Sequence, residues 1–239
     1  MKVKDILDRV TTLYNDAEYI RVPESSYLKF LDDALNMLLL LRPDCHIKSD
    51  VVKLNKGTRQ NLPSEGRALI DLYLNKLPVF DSDGVTIKEY INHYPIVQVR
   101  RDDLDYFSNW QYQSGAVSKD YISEFAYESK NPRMFWVNPP VNEKDVYVEM
   151  DYSYEFPVYS AMNDAINTEL DLQDHWMGPI CAYMLYLLYS IDSTSAVDRQ
   201  IAASYLQSFY QSVSAESTST TAVKPTLSVV NSDITERSA

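Results

Sequence analysis

Residues 127–140 read YESKNPRMFWVNPP. Asn131-Pro132 marks a turn, residues 134–137 form a short aromatic strand, and Pro139-Pro140 stop it, since proline cannot donate to a ladder and is held to edges, strand ends and bulges. The stretch predicts two strands folded back at Asn131, with the double proline at the rim of their sheet. Further on, Val146, Val148, Met150 and Tyr152 alternate with Tyr147, Glu149 and Asp151, the pattern of a strand with one face buried. Upstream, residues 51–55 and 58–62 flank Lys56-Gly57 and read as a hairpin with glycine at its turn. Ala68, Ile70, Leu72 and Leu74 alternate in the strand that follows. Together these predict a meander ending near Tyr154.

On either side the period lengthens to that of a helix. Val3, Ile6, Leu7, Val10, Leu13 and Tyr14 share one face of a first helix. Pro23 suits the first turn of a second, whose stripe of Leu28, Leu31, Ala34, Leu35, Leu38 and Leu41 ends at Arg42-Pro43. Near the C-terminus, Asp171 or Asp174 caps a helix carrying Met177, Ile180, Met184, Leu187, Leu188 and Ile191. Ser195 starts another, with Val197, Ile201, Tyr205, Phe209 and Val213 on one face. The expected fold is mainly α with a β insertion. An antiparallel bundle of two N-terminal and two C-terminal helices (residues 1–48 and 160–214) carries a small antiparallel hairpin or meander lobe (residues 49–159) and an extended C-terminal arm (residues 215–239).

Composition narrows the function. A chain of 239 residues with 45% hydrophobic content buries a sizeable core. Its net charge of -12 disfavours a broad phosphate-binding surface or docking on an anionic membrane. Cys45 and Cys181 form neither a disulfide framework nor a zinc knuckle and fit a reducing compartment. Asp5, Asp8 and Arg9 interrupt any signal-peptide core. The uncharged run at residues 176–191 is shorter than a bilayer span and reads as a buried helix.

The chemistry is sparse: there is no phosphate loop, nucleophile elbow or His-Glu-x-x-His motif. His46, His93 and His175 are isolated from one another, which predicts neither a metal nor a cofactor. Asp102, Asp103 and Asp105 superficially resemble a metal-binding cluster, but acids at a helix start are explained by the positive end of the helix dipole. Tyr183, Tyr186 and Tyr189 form a tyrosine stripe that either a thick core or a neighbouring subunit covers. From Ser217 onward, ten of 23 residues are Ser or Thr and no apolar face recurs, so the segment cannot fold alone. Val223, Leu227, Val229 and Val230 give it the apolar content to lie as an extended strand on a partner.

The element order, the helix end LLLLRPD at residues 38–44, the stretch YESKNPRMFWVNPP and the tyrosine-bearing final helix pair resemble the head-to-tail adaptor (connector) proteins of short-tailed bacteriophages, over residues 1–214. In many of these an Asp-Pro-Arg turn, an aromatic strand and Pro-Pro stand where this chain has Asn131-Pro132-Arg133, residues 134–137 and Pro139-Pro140. The chain departs from that pattern at Asn131, in an apparent insertion at residues 80–94 and in its long tail.

The resemblance implies a structural virion protein at the neck, assembled in the host cytoplasm, with no enzymatic role. It implies a ring of usually twelve copies beneath the portal protein that continues the channel for double-stranded DNA without binding it specifically, and that carries tail nozzle or tail fibre proteins. Under it the C-terminal arm grips the portal, Tyr183, Tyr186 and Tyr189 meet the next subunit, Phe135 and Trp136 dock a tail partner, and Asp102, Asp103 and Asp105 line the channel. The other readings are a tail-associated peptidoglycan-degrading enzyme using carboxylates such as Glu124 and Asp151, and a monomeric protein-binding scaffold.

Overall fold

A computed structural model describes residues 1–106, 119–191 and 195–223. Helix α1 (Val3–Tyr14) buries Val3, Ile6, Leu7, Val10 and Tyr14, as its spacing predicts, while Leu13 falls on the solvent side. Asn15, left-handed at φ 55°, closes it. The loop that follows is wound round one carboxylate. Asp16 accepts the N–H groups of Ile20, Arg21 and Val22 at 2.8, 3.0 and 3.0 Å and the Tyr27 hydroxyl at 3.2 Å. Burial alone pushes this acid's pKa up, but those hydrogen bonds outweigh it and hold the pKa below the usual carboxylate value.

Helix α2 (Glu24–Leu41) starts after Pro23 and ends at Arg42, before a single 3-10 turn at Pro43–Cys45. The short helices α3 (Arg101–Tyr106) and α4 (Met162–Ile166) lie outside the main helices, and the chain closes with α5 (Met177–Ile191) and α6 (Ala196–Val223). Met1 donates to the carbonyls of Leu170 and Leu172, and the Tyr14 hydroxyl to that of Leu188, so α1 runs parallel to α5. Arg42 lies over the Trp176 ring and reaches the carbonyl of Val213, so α2 and α6 run the opposite way. The four share one core, in which each fully buried Leu, Ile or Phe contributes about 1.5–3 kcal/mol.

The β part is far larger than a hairpin or small meander, and the expectation of a mainly helical chain is overturned. Eight strands form two four-stranded sheets: β1 (Ile47–Lys53), β2 (Gly57–Asn61), β3 (Gly66–Phe80), β4 (Ile87–Pro95), β5 (Val97–Val99), β6 (Glu124–Tyr127), β7 (Met134–Val141) and β8 (Tyr147–Tyr154). One sheet has the order β1-β8-β3-β4 and is antiparallel throughout; the other is β2-β7-β6-β5, with β5 and β6 parallel. A single core joins them. Leu69, Leu72, Val148, Met150 and Tyr152 of the first meet Phe125, Phe135, Val137 and Val141 of the second. Both sheets thus turn one face inward, the arrangement of a β-sandwich.

The predicted hairpin at residues 51–62 does not form. Its first strand pairs with β8 and its second with β7, so the Lys56-Gly57 turn carries the chain from one sheet to the other. Gly57 takes φ 102°, and the Gln60 carboxamide replaces the missing ladder, accepting from the Asn55 N–H at 2.8 Å and donating to its carbonyl at 2.7 Å. Strand β7 is interior, between β2 and β6. Its double proline fits there because the last pair with β6 is Asn138 and the β2 ladder is irregular between Arg59 and Gly57, so neither proline is asked for a donor. The Asn138–Pro139 peptide is cis.

Strand β3 outruns its sheet. Its pairing with β8 ends at Lys76, while its pairing with β4 continues through Leu77, Pro78, Val79 and Phe80. Residues 77–91 therefore form a two-stranded ribbon. Buried Asn75 anchors its base, donating to the carbonyls of Tyr94 and Ile122 and accepting the Ile122 N–H, each at 2.8 Å. Most of residues 80–94, expected from the resemblance to be an insertion, fall in this ribbon.

Candidate interaction surfaces

The Asn131-Pro132 turn fastens the two sheets together. The Pro132 carbonyl accepts the Leu69 N–H of β3 at 3.1 Å, the Arg133 carbonyl accepts that of Leu62 at 3.0 Å, and the Arg133 guanidinium donates to the Ser64 carbonyl at 3.0 Å. Beside the turn, a groove of about 420 Å³ runs between the end of α2 and the start of β3, lined by Leu40, Pro43, Ala68, Tyr127 and Pro132. Arg67 is the one charged residue on its lining. Leu40 stands 70% exposed at its edge.

The two aromatic residues assigned to tail docking part company. Phe135 points into the sandwich and has no exposed surface, because strand alternation places it on the same face as Val137. It is a core residue, and its expected docking role is withdrawn. Trp136 faces the other way and is half-buried, packed with Val99, Leu104 and Ala126. The Arg101 guanidinium covers it, 4.3 Å from the ring centroid. On the same short helix, Asp102, Asp103 and Asp105 are exposed, Asp105 paired with Arg101 at 3.3 Å. No group of residues able to hold a metal ion occurs among the described residues.

Most of the tyrosine stripe is covered within the chain. Tyr183 packs on Phe209 at 4.9 Å, and Tyr189 sits between Tyr14 at 5.1 Å and Tyr205 at 5.9 Å. Tyr186 touches Tyr183 and keeps part of its ring open to solvent. Of the four residues assigned to the arm, Val223 is the last of α6, so residues 217–223 are helical and the expected extended conformation is corrected there. A helix already nucleated against α5 adds residues at little cost, which is how a Ser/Thr-rich segment continues it. Leu227, Val229 and Val230 lie outside the described residues.

The two carboxylates of the enzymatic reading belong to different sheets and have different tasks. Glu124, on β6, accepts from the Asn138 amide at 2.8 Å; Asp151, on β8, accepts from Ser49 at 2.5 Å and Tyr73 at 2.8 Å. The structure does not bring them together as an acid and base pair. His46 is buried at the joint between helices and sheets, stacked between Tyr154 at 3.7 Å and Phe156 at 4.0 Å, with Nδ1 at 3.0 Å from the Tyr154 carbonyl. Burial lowers its pKa. Next to it, burial and then the Asp44 charge push the Cys45 thiol up to about 12, which leaves it unreactive at neutral pH.

The ribbon carries several exposed apolar side chains. Phe80, Val85 and Ile91 are 48, 79 and 49% exposed, with Tyr94 at its base 53% exposed. Faces follow from the register: Pro78, Phe80, Ile87 and Tyr90 share one, and Leu77, Val79 and Ile91 the other. Glu89, opposite Val79, adds a charge to the second face, but both faces carry apolar side chains, and a two-stranded ribbon in water is marginal without a partner to cover it. Its tip is an Asp83-centred turn, with that carboxylate accepting the N–H groups of Val85 and Thr86.

The SU10 adaptor protein family model matches residues 1–228 of the chain. No curated protein matches it.

Proposed function

The chain belongs to the SU10 adaptor protein family, a family of phage structural adaptors, and on that footing we propose that copies of it close into a ring at the virion neck, between portal and tail. The observation that carries this reading is the family match over residues 1–228. The role is structural and not enzymatic. In the ring, the central opening continues the portal channel for double-stranded DNA; we assign twelve copies to it on the family resemblance. Assembly takes place in the host cytoplasm.

Four features support particular tasks. The exposed acids Asp102, Asp103 and Asp105 suit a channel wall, where negative charge repels phosphates and DNA slides without sticking. The open part of Tyr186, next to Tyr183 and Tyr189, suits contact with the next helical bundle. Helix α6 continues to Val223, past Val213, its last buried residue among those whose burial is described; the segment bearing Leu227, Val229 and Val230 that follows it is assigned to the portal on the resemblance. The sandwich, with Trp136 under Arg101, is the lobe left to meet a nozzle or fibre protein.

The test is to mix the purified chain with purified portal and weigh the product. A complex with a fixed, multiple number of adaptor chains per portal supports the proposal. A chain that stays a 27.5 kDa monomer with portal present refutes it and favours a scaffold acting alone.

A further inference from the structure

We propose that the β3–β4 ribbon of one copy seats in the groove of the next, so that each subunit gives a ribbon on one side and receives one on the other. This rests on the ring reading above and names the contact that closes it. Among the described residues, both halves are unfilled. The ribbon shows apolar side chains on both faces, Phe80 and Val85 foremost, and the groove is apolar along Leu40, Pro43, Ala68 and Pro132.

Geometry decides for a second copy over self-closure. Ala68 lines the groove and Phe80 begins the ribbon's tip, and both belong to the same continuous strand. Twelve residues of strand separate them, about 40 Å at 3.3 Å per residue. A chain cannot bend its own strand back over that length, so its ribbon reaches a groove only on another molecule. Two different surfaces at opposite ends of one element make a head-to-tail contact, the kind that repeats into a closed ring when the rotation permits.

Charge agrees with the pairing. The ribbon tip carries Asp81 and Asp83, and Arg67 is the charged residue of the groove lining. Among the described residues, Arg67 makes long contacts, 3.8 Å to Glu155 and 3.4 Å to Asn36. It is about two-fifths exposed and placed to meet an incoming carboxylate. The Asn131-Pro132 turn gains a purpose here: fastened to β3 by the Leu69 N–H, it holds one wall of the groove rigid.

The experiment uses the full chain assembled on portal. The variants are Phe80→Asp with Val85→Asp on the ribbon, and Leu40→Asp in the groove, all at exposed positions where folding is retained and is checked by circular dichroism. Each variant alone should lower the assembled fraction about tenfold or more. A mixture of a Val85→Cys chain with a Leu40→Cys chain should give disulfide-linked pairs on oxidation, and neither chain alone should do so. If wild type assembles and the aspartate variants assemble equally, with no cross-linked pairs, the ribbon belongs to a tail protein or to nothing, and the proposal is overturned while the ring stands. If wild type itself never assembles, the ring reading and this contact fall together.

Discussion

The Arg42 guanidinium grips the Asp44 carboxylate through two hydrogen bonds, Nε to Oδ1 at 2.8 Å and Nη2 to Oδ2 at 2.7 Å. The grip makes the end of α2 a fixed corner: the same guanidinium lies over Trp176 and reaches the Val213 carbonyl of α6. A bidentate pair of this kind is stronger and more directional than a single ion pair. The RPD sequence is therefore a joint, set where the helical bundle hands the chain to the sandwich. Replacing Arg42 with Lys keeps the charge but loses the fork. We expect a lower unfolding midpoint, by about 3 °C or more, and a calorimetric scan measures it; an unchanged midpoint would show that the corner is held by packing alone.

His46 gives this corner a pH dependence. Its folded pKa lies below the ordinary value of 6.5, so the fold favours the neutral ring. For a base depressed in this way the stabilisation is full above 6.5 and is lost as pH falls below it towards the folded value, because the unfolded chain takes up the proton first. The unfolding midpoint should drop between pH 6.5 and 5 in wild type and drop less in His46→Phe, which keeps the stack on Tyr154 and Phe156. Parallel slopes in the two proteins would remove His46 from the account.

Asp16 acts at the acid end. Its folded pKa is held down, so its contribution is present above the ordinary value of 3.8 and vanishes as pH falls through the folded value. Asp16→Ala strands three N–H groups and the Tyr27 hydroxyl. Its unfolding midpoint at pH 7 should fall by about 5 °C or more. Since the carboxylate is ionised at that pH, the gap between variant and wild type should narrow only in strong acid.

The neighbouring rings of β7 give opposite results. Phe135→Ala opens a cavity in the sandwich core and should cost about 3–5 kcal/mol in denaturant unfolding. Trp136→Ala, on the half-buried face under Arg101, should cost less and should be the one that alters binding of a tail protein. Equal losses of stability would place Trp136 in the core as well.

Much of the helical part was legible in the sequence, because α1 and α2 bury one clean face each: Ile6, Val10 and Leu31, Leu35, Leu38 recur at the spacing that periodicity reads. The alternation in β8 was legible for the same reason. Strand pairing was not. A stretch such as residues 51–62 carries a turn signal and two short strands whether its strands pair with each other or, as here, with β8 and β7, which are distant in sequence. The ribbon was hidden because Leu77, Pro78, Val79 and Phe80 are half-buried or exposed on both faces and leave no alternation. Of the site residues, the exposure of Asp102, Asp103 and Asp105 could be read from their charge, whereas the face of Phe135 depended on which side of β7 met the second sheet, a tertiary fact.

The arm separates from the fold by truncation. Residues 224–239 are too rich in Ser, Thr and charge to fold alone, and the helical core as described reaches Val213, so removing them should leave the unfolding midpoint within about 1 °C. Portal affinity should fall sharply. A truncated chain that binds portal as well as the full one would move attachment to the helical bundle.

The most direct measurement is electron cryo-microscopy of the purified portal mixed with this chain. The account predicts class averages with a second closed ring stacked on the portal, coaxial with its channel, each sandwich touching its neighbour. Averages showing bare portal, or isolated adaptor chains bound at scattered sites without lateral contact, would contradict it.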